Sequence, residues 1–171
     1  MMAFLMVGCH NTKTPKTTVD DVKKAEAAVY NGDMTINTEA VPEAVAAYNK
    51  YVDDNPEAVD APEMLFRAIE VAVNTRQDVQ QSIKLVDRLV TDYPDYDNNP
   101  VALFMLATFV YDEQLGDLDK ARETYQRIID NYPDSPFTAD ASIAITQLGM
   151  TPEELVKMFE SKEKSEDSSQ E

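Results

Sequence analysis

The side chains with the greatest chemical reactivity are few and lie side by side near the amino terminus. The chain has one cysteine, Cys9, and one histidine, His10. A lone cysteine can form neither an intramolecular disulfide nor a zinc cluster. With no second histidine, a histidine-based catalytic triad cannot be built in the body of the chain. The four glycines are scattered, so no phosphate-binding loop or dinucleotide fingerprint is present.

The acidic side chains contain one motif that imitates a metal site. Asp95-x-Asp97-x-Asn99 resembles the opening of a calcium loop, but Pro100 stands where that loop needs glycine and Leu106 where it needs a bidentate glutamate. We therefore interpret the motif as a turn. The other carboxylates are expected to form solvated helix faces, so we predict no catalytic residue, no metal, no cofactor and no small-molecule substrate. An enzyme with an unrecognised carboxylate pair is the alternative.

Cys9 has a different predicted role, as a site of lipid attachment. Residues 5–9, LMVGC, resemble a bacterial lipobox, in which cleavage precedes the cysteine and its sulfur receives a diacylglycerol. Residues 1–8 would then be a signal peptide remnant and residues 9–17 a polar tether. The apolar stretch is short and no Lys or Arg precedes it, and an initiation codon upstream of Met1 would explain both features. The predicted location is the outer membrane, lipid-anchored and facing the periplasm.

The charge of the chain restricts its partners. Fifteen basic residues against 32 acidic ones give a net charge of −17. Such a surface repels phosphate backbones and anionic lipid, so we predict no nucleic-acid binding and membrane contact through the lipid anchor only. No segment approaches the roughly 20 apolar residues that a membrane-spanning helix requires.

A repeat organises the body of the chain. Three similar segments end at Pro56, Pro94 and Pro133, which are 38 and 39 residues apart. Three positions share a residue type in every segment: a small residue twelve before the proline (Ala44, Ser82, Ala121), a bulky one eight before (Tyr48, Val86, Tyr125) and another five before (Tyr51, Leu89, Ile128). The small residue allows two helices to approach closely, and the bulky ones lie on the same helix face.

Each of these segments follows an apolar helix. Pro62 and Pro100 suit the first turns of two such helices and are again 38 residues apart. After Pro100 the chain reads Leu103-x₂-Leu106-Ala107, with Tyr111 and Gly116 following. This order resembles the first half of the tetratricopeptide (TPR) signature, although the tryptophan is absent and Tyr111 stands one residue late.

The resemblance to the TPR superfamily implies an all-α fold, a right-handed α-solenoid of about eight helices in four pairs. The predicted pairs are 20–31 with 39–54, 62–75 with 78–92, 100–114 with 118–131, and 137–148 with 152–162. The repeat domain would span 18–160, followed by a disordered acidic tail at 161–171. The last helix is expected to cap the solenoid by burying Leu155, Met158 and Phe159.

Residues 38–150 also resemble repeat lipoproteins of the bacterial envelope. These include the repeat subunit of the outer-membrane β-barrel assembly machinery and the coordinator protein of the Tol–Pal system. The resemblance implies a non-catalytic scaffold that holds a protein partner in an envelope assembly. The alternative is a cytosolic TPR interaction module or co-chaperone with no lipid on Cys9.

In TPR proteins the first helices of each pair line a concave face that takes peptides or partner helices. By position, this face would carry five residues: Phe66, Glu70, Val73, Phe104 and Thr108. An acidic and aromatic groove favours basic or apolar segments. The alternative for Phe66 and Phe104 is that they pack between repeats.

Overall fold

The structure is a computed structural model that describes residues 15–33 and 35–167. Its helices are α1 (Val19–Ala27), α2 (Val41–Asp54), α3 (Ala61–Thr75), α4 (Val79–Asp92), α5 (Asn99–Met105), α6 (Leu118–Asn131), α7 (Phe137–Gln147) and α8 (Pro152–Asp167). A π-helical segment, Leu106–Asp112, continues α5 without a break. The described residues form no strand beyond an isolated bridge between Tyr30 and Ile36. The predicted all-α solenoid of TPR-like helix pairs is confirmed.

The helices stack in chain order. Each helix from α1 to α7 packs on its sequence neighbours, and the first helices of successive pairs also touch, α3 on α5 and α5 on α7. The core is therefore one continuous ribbon of buried side chains rather than a central cluster. This nearest-neighbour arrangement is what a repeat array produces, since each pair can bury its apolar face only against the next.

The first helix ends earlier than predicted. It stops at Ala27 rather than near residue 31, and a turn follows. In that turn the Asn31 amide donates to the Thr35 carbonyl at 2.9 Å, and the Asp33 carboxylate accepts from the Thr35 backbone amide at 3.0 Å and from the Thr35 hydroxyl at 2.6 Å. Short polar side chains that bond to neighbouring backbone offer the chain an alternative to the helix. The turn chemistry therefore outcompetes the weak apolar pattern of residues 28–31.

The small residues of the repeat pattern lie where helices touch. Ala44, Ser82 and Ala121 are all buried. The Ser82 hydroxyl donates a hydrogen bond of 3.2 Å to the carbonyl of Asp78, the residue that caps the same helix. Four residues later Tyr48, Val86 and Tyr125 are also buried, as the spacing predicts. Full burial of each bulky side chain contributes about 1.5–3 kcal/mol, so these positions supply much of the stability of each pair.

Enlarging one of these small residues tests the contact directly. Replacing Ala121 with Leu is expected to overfill the space between helices and lower the free energy of unfolding by about 1–3 kcal/mol. Glu123→Leu adds a leucine to an exposed position of the same helix and is expected to change stability by less than about 0.5 kcal/mol. Urea denaturation of both variants measures the difference. Equal stabilities would contradict the proposed helix contact.

Hydrogen bonds connect positions one repeat apart. The Asn55 side chain donates to the Thr17 carbonyl at 3.1 Å, and the Gln77 side chain donates to the Thr38 carbonyl at 2.9 Å. Arg88 donates to the Asn49 side chain at 3.0 Å. These partners are 38 or 39 residues apart, which is the period of the prolines. The polar contacts therefore fix the same register as the core.

The π-helical segment explains why the repeat lengths differ. The Glu113 amide donates to the Thr108 carbonyl and the Leu115 amide to the Val110 carbonyl, both at 3.0 Å and both five residues back rather than four. From Pro62 to the cap of the next helix, Asp78, is 16 residues, whereas from Pro100 to Asp117 is 17.

The wider turn absorbs that one extra residue, as π-bulges do. It thereby keeps Tyr111 buried although the tyrosine stands one residue late in the sequence. The same extra residue separates the 38-residue spacing of the first two repeat prolines from the 39-residue spacing of the next two.

The last helix differs from the prediction in two ways. It extends to Asp167, so the predicted start of a disordered tail at 161 falls inside α8. It also fails to cap the solenoid: Phe159 is 50 % exposed, Leu155 and Met158 are only half-buried, and α8 has no extensive packing against another described helix. The predicted burial of Phe159 is therefore wrong. Counted from the residue that caps each helix, Leu155 stands where α2, α4 and α6 carry the buried small residues Ala44, Ser82 and Ala121, and a leucine at that position would overfill the helix contact.

Candidate protein-binding surface

The five residues predicted to line the concave face lie on α3 and on the α5–π helix, but their exposure differs. Val73 is 1 % exposed and belongs to the core. Its prediction as a contact residue is wrong because α3 is apolar over more than one stripe, and Val71, Ala72 and Val73 all pack inward. A partner cannot reach Val73 while the array is folded.

The two phenylalanines pack between repeats. Phe66 is 8 % exposed and meets the edge of the Tyr96 ring at a centroid distance of 6.1 Å. Phe104 is half-buried between Tyr125, at 5.3 Å, and Phe137, at 5.5 Å. Tilted aromatic pairs at such distances are worth about 0.5–1.5 kcal/mol beyond their buried area. Both phenylalanines thus pack between repeats, which is the alternative that the sequence left open. Direct contact of either ring with a partner stays a prediction.

Thr108 lies inside the π-helical segment. Its hydroxyl is 2.7 Å from the Tyr125 hydroxyl, and its carbonyl accepts an i+5 hydrogen bond from the Glu113 amide. The Tyr125 pKa is raised, chiefly by burial, against the opposing effect of the hydrogen bond with Thr108. Thr108 is thus half-buried and already bonded, which makes it a packing residue with one edge towards solvent.

Glu70 is the predicted residue that is exposed, and it lies in an acidic neighbourhood. Partial burial raises its pKa; Arg67 opposes that rise, and Glu63 and Glu26 add to it. Arg67 is itself engaged, because its guanidinium donates to Glu26 at 2.9 Å and to the Tyr48 hydroxyl at 3.3 Å.

Glu63 accepts from the Tyr96 hydroxyl at 2.5 Å, and burial together with this bond raises the Tyr96 pKa to about 12. Glu26 on α1, together with Glu63 and Glu70 on α3, forms a surface that we call the acidic face. This acidic face presents more negative than positive charge. Sequence reasoning named Glu70 as a partner-binding residue, which stays a prediction, and did not name Glu26, Glu63 or Tyr96. Glu26 and Glu63 are charged positions of amphipathic helices like many others, and only their contacts with Arg67 and Tyr96 distinguish them.

The calcium-like motif serves a turn. The Asn99 side-chain amide donates to the carbonyls of Tyr93 and Pro94, at 2.8 and 3.0 Å, and Asn99 begins α5. Asp95 and Asp97 line an open cleft of about 430 Å³. Among the side chains that the structure describes, no group of three His, Cys, Asp or Glu is arranged to hold a metal ion.

The remaining predicted site, Cys9, lies outside the described residues, as does His10. None of the described helices is long and apolar enough to cross a membrane. The described residues thus define a helical repeat protein with exposed helix faces and open clefts between them.

Comparison with known families agrees with this class. The tetratricopeptide repeat model matches residues 101–135, which include most of the α5–π helix and all of α6. The chain therefore contains a tetratricopeptide repeat, a unit that generally serves as a non-catalytic protein-interaction module. No curated protein matches the chain.

Proposed function

We propose that this protein is a non-catalytic scaffold, anchored by a lipid on Cys9 in the bacterial envelope, that holds a protein partner in an outer-membrane or periplasmic assembly. The observation that carries the proposal is the repeat array itself. Its buried side chains stack one helix pair on the next, and its charged groups lie on exposed helix faces. An array of this kind works by presenting a surface.

The acidic face supports a partner segment that is basic. Glu70 has no hydrogen bond or ion pair among the described residues, so its carboxylate is available to a new cation. Complementary charge accelerates encounter and selects among partners more than it adds affinity. The partner is therefore expected to approach α3 with Lys or Arg side chains.

The lipid anchor rests on the sequence of residues 5–9 alone. One acyl chain anchors a protein marginally, whereas several chains anchor it durably. Confinement at the membrane raises the local concentration of the scaffold, so that a micromolar contact, about −8 kcal/mol, suffices to hold a partner there.

The test compares three variants in the native host. Cys9→Ser is expected to move the protein from the membrane to the soluble fraction, and mass spectrometry is expected to find Cys9 as the modified first residue of the wild type. Glu70→Gln should leave the protein on the membrane but reduce co-purification of its partner, whereas Glu123→Gln, on an exposed part of α6, should change neither. An unmodified Cys9 with intact partner binding would favour the cytosolic interaction module. Equal capture by Glu70→Gln and wild type would remove the acidic face from the proposal.

A further inference from the structure

The turn between α1 and α2 contains the sequence Asn31-Gly32, a pair of residues that can react with each other. The side-chain amide of an asparagine is open to attack by the backbone nitrogen of the residue that follows it, and asparagine is among the thermolabile residues of proteins. A glycine in the second position favours the attack, because it has no Cβ to obstruct the approach of its nitrogen. Of the nine asparagines in the chain, Asn31 alone precedes a glycine.

The structure leaves this pair accessible. Asn31, Gly32 and Asp33 are all exposed. A Cβ atom built on Gly32 would meet no atom within 4 Å, so the space around its backbone is open. Among the described residues, no group accepts a hydrogen bond from the Gly32 amide. The nitrogen of Gly32 can therefore approach the Asn31 side chain without first breaking a contact.

Most of the other described asparagines lack these features. Asn55 and Asn99 precede proline, whose nitrogen carries no proton to lose. Asn49 and Asn74 lie inside α2 and α3, where the hydrogen bonds of the helix hold the next backbone nitrogen in place. The side chain of Asn37 is held by two hydrogen bonds of 3.2 Å, one through its nitrogen and one through its oxygen.

We propose that Asn31 is a site of spontaneous deamidation in the folded protein. The Gly32 nitrogen loses its proton to a base in the solvent and attacks Asn31 Cγ. The bond between Cγ and the side-chain nitrogen then breaks, that nitrogen leaves as ammonia after taking up a proton from water, and a five-membered imide remains.

Water opens this ring at one of its two carbonyls. Opening at Cγ gives aspartate, and opening at the backbone carbonyl gives isoaspartate, in which the main chain runs through Cγ. In sum, one amide and one water become one carboxylic acid and one ammonia, with no oxidant or reductant. The reaction adds one negative charge to the −17 that the chain already carries.

The new carboxylate would weaken the turn. The Asn31 side-chain amide donates to the Thr35 hydroxyl oxygen at 2.9 Å, and that hydroxyl donates to the Asp33 carboxylate at 2.6 Å. The bond from the Thr35 hydroxyl lowers the Asp33 pKa, so Asp33 is charged at neutral pH. A carboxylate at position 31 has no proton to donate to Thr35, and it repels Asp33. The turn is therefore expected to open more often after the reaction.

Peptide mapping of the full chain by mass spectrometry, during incubation in warm and mildly alkaline buffer, tests the proposal. The segment with Asn31 is expected to gain the mass of an NH-to-O exchange and to become a substrate for isoaspartyl methyltransferase. Its rate should rise with pH, because more of the Gly32 amide is deprotonated. Asn49 and Asn74 should stay unmodified. The rate should lie within about tenfold of that in a free peptide of residues 28–36, and a slower reaction would mean that the folded turn protects Asn31 and would overturn the proposal.

Gly32→Ala is the matched variant. It keeps Asn31 but places a methyl group beside the attacking nitrogen, and it should slow the modification by at least about tenfold. Gly32 has no positive φ, and the added Cβ meets no atom within 4 Å, so the substitution should leave the fold unchanged. Equal rates in this variant and in the wild type would rule out attack by the Gly32 nitrogen.

Asn31→Asp supplies the aspartate product directly and tests its effect on the turn. The backbone amide of residue 31 donates to the Thr35 carbonyl at 2.9 Å. Hydrogen exchange at this amide is expected to be faster in the variant than in the wild type, whereas the amides of α3 should exchange as before. Unchanged exchange at residue 31 would contradict the expected opening of the turn.

Discussion

Deleting Phe109 is expected to leave the array folded, whereas deleting Glu70 from the preceding repeat is expected to unfold it. The two residues correspond because each lies eight residues before the cap of the next helix, Asp117 and Asp78 respectively. Phe109 lies inside the π-helical segment, where the chain carries one residue more than its neighbour. Removing it allows ordinary i+4 hydrogen bonds and makes the spacing from Pro100 to Asp117 equal to that from Pro62 to Asp78. Thr108, Tyr111 and their partners keep their places.

The same deletion in α3 has no extra residue to remove. Every residue after Glu70 would rotate by about 100° relative to the residues before it, because a helix has 3.6 residues per turn. Ala72 and Val73 would then leave the core, although the deleted side chain itself is exposed. We expect a loss of more than about 4 kcal/mol for this variant and of at most about 2 kcal/mol for the deletion of Phe109.

Circular dichroism and urea denaturation of the two deletion variants measure this difference. Replacing Glu70 with Ala without deletion separates the loss of the side chain from the shift in register, and it should cost less than about 1 kcal/mol. If the deletion of Phe109 proves as damaging as that of Glu70, the π segment is required for stability. It would then not be an accommodated insertion.

The positions of the helices could be predicted because their signals are local. Three signals each depend on a few neighbouring residues: prolines at first turns, the small and bulky residues that recur three times, and the prolines that end each repeat segment, Pro56, Pro94 and Pro133. Helices α2, α3, α4 and α6 accordingly begin and end within about two residues of their predicted limits. The late Tyr111 was visible as an irregularity. That a π-helical turn accommodates this irregularity could not be predicted, because side-chain patterns do not reveal which hydrogen bonds the backbone forms.

The surface was harder to predict because exposure depends on neighbours from other repeats. Phe66 and Phe104 occupy positions that face the concave side in a generic array, but here Tyr96 and Phe137 cover them. The reverse holds for α8, where an apolar pattern predicted burial. There the pattern alone did not decide the outcome, because Leu155 is too large for the position at which the other pairs make contact. Register within the repeat carries this information, and amphipathicity does not.

Replacing Phe104 with Ala is expected to separate packing from partner binding. The ring lies between Tyr125 and Phe137, so its loss opens a cavity between the third pair and α7 and removes two aromatic contacts. We expect a cost of about 3 kcal/mol, at the lower end for Phe→Ala because the ring is half-buried, and a melting temperature lower by about 6–12 °C. Phe104→Leu should cost about 1 kcal/mol, since most of the volume remains.

Phe159→Ala is the matched control. It is the same substitution at a half-exposed position of α8, which has no extensive packing against another described helix, and it should lower stability by less than about 0.5 kcal/mol. Partner affinity measured on the same proteins, well below their melting temperatures, then decides the role of Phe104. Affinity equal to that of the wild type makes the ring a packing residue only. If affinity falls in both Phe104→Ala and the well-folded Phe104→Leu, the partner contacts this ring. The leucine variant keeps the helix packing intact, so its lower affinity would come from the missing aromatic ring alone. Equal melting temperatures for Phe104→Ala and Phe159→Ala would contradict the stacking of α7 on the third pair.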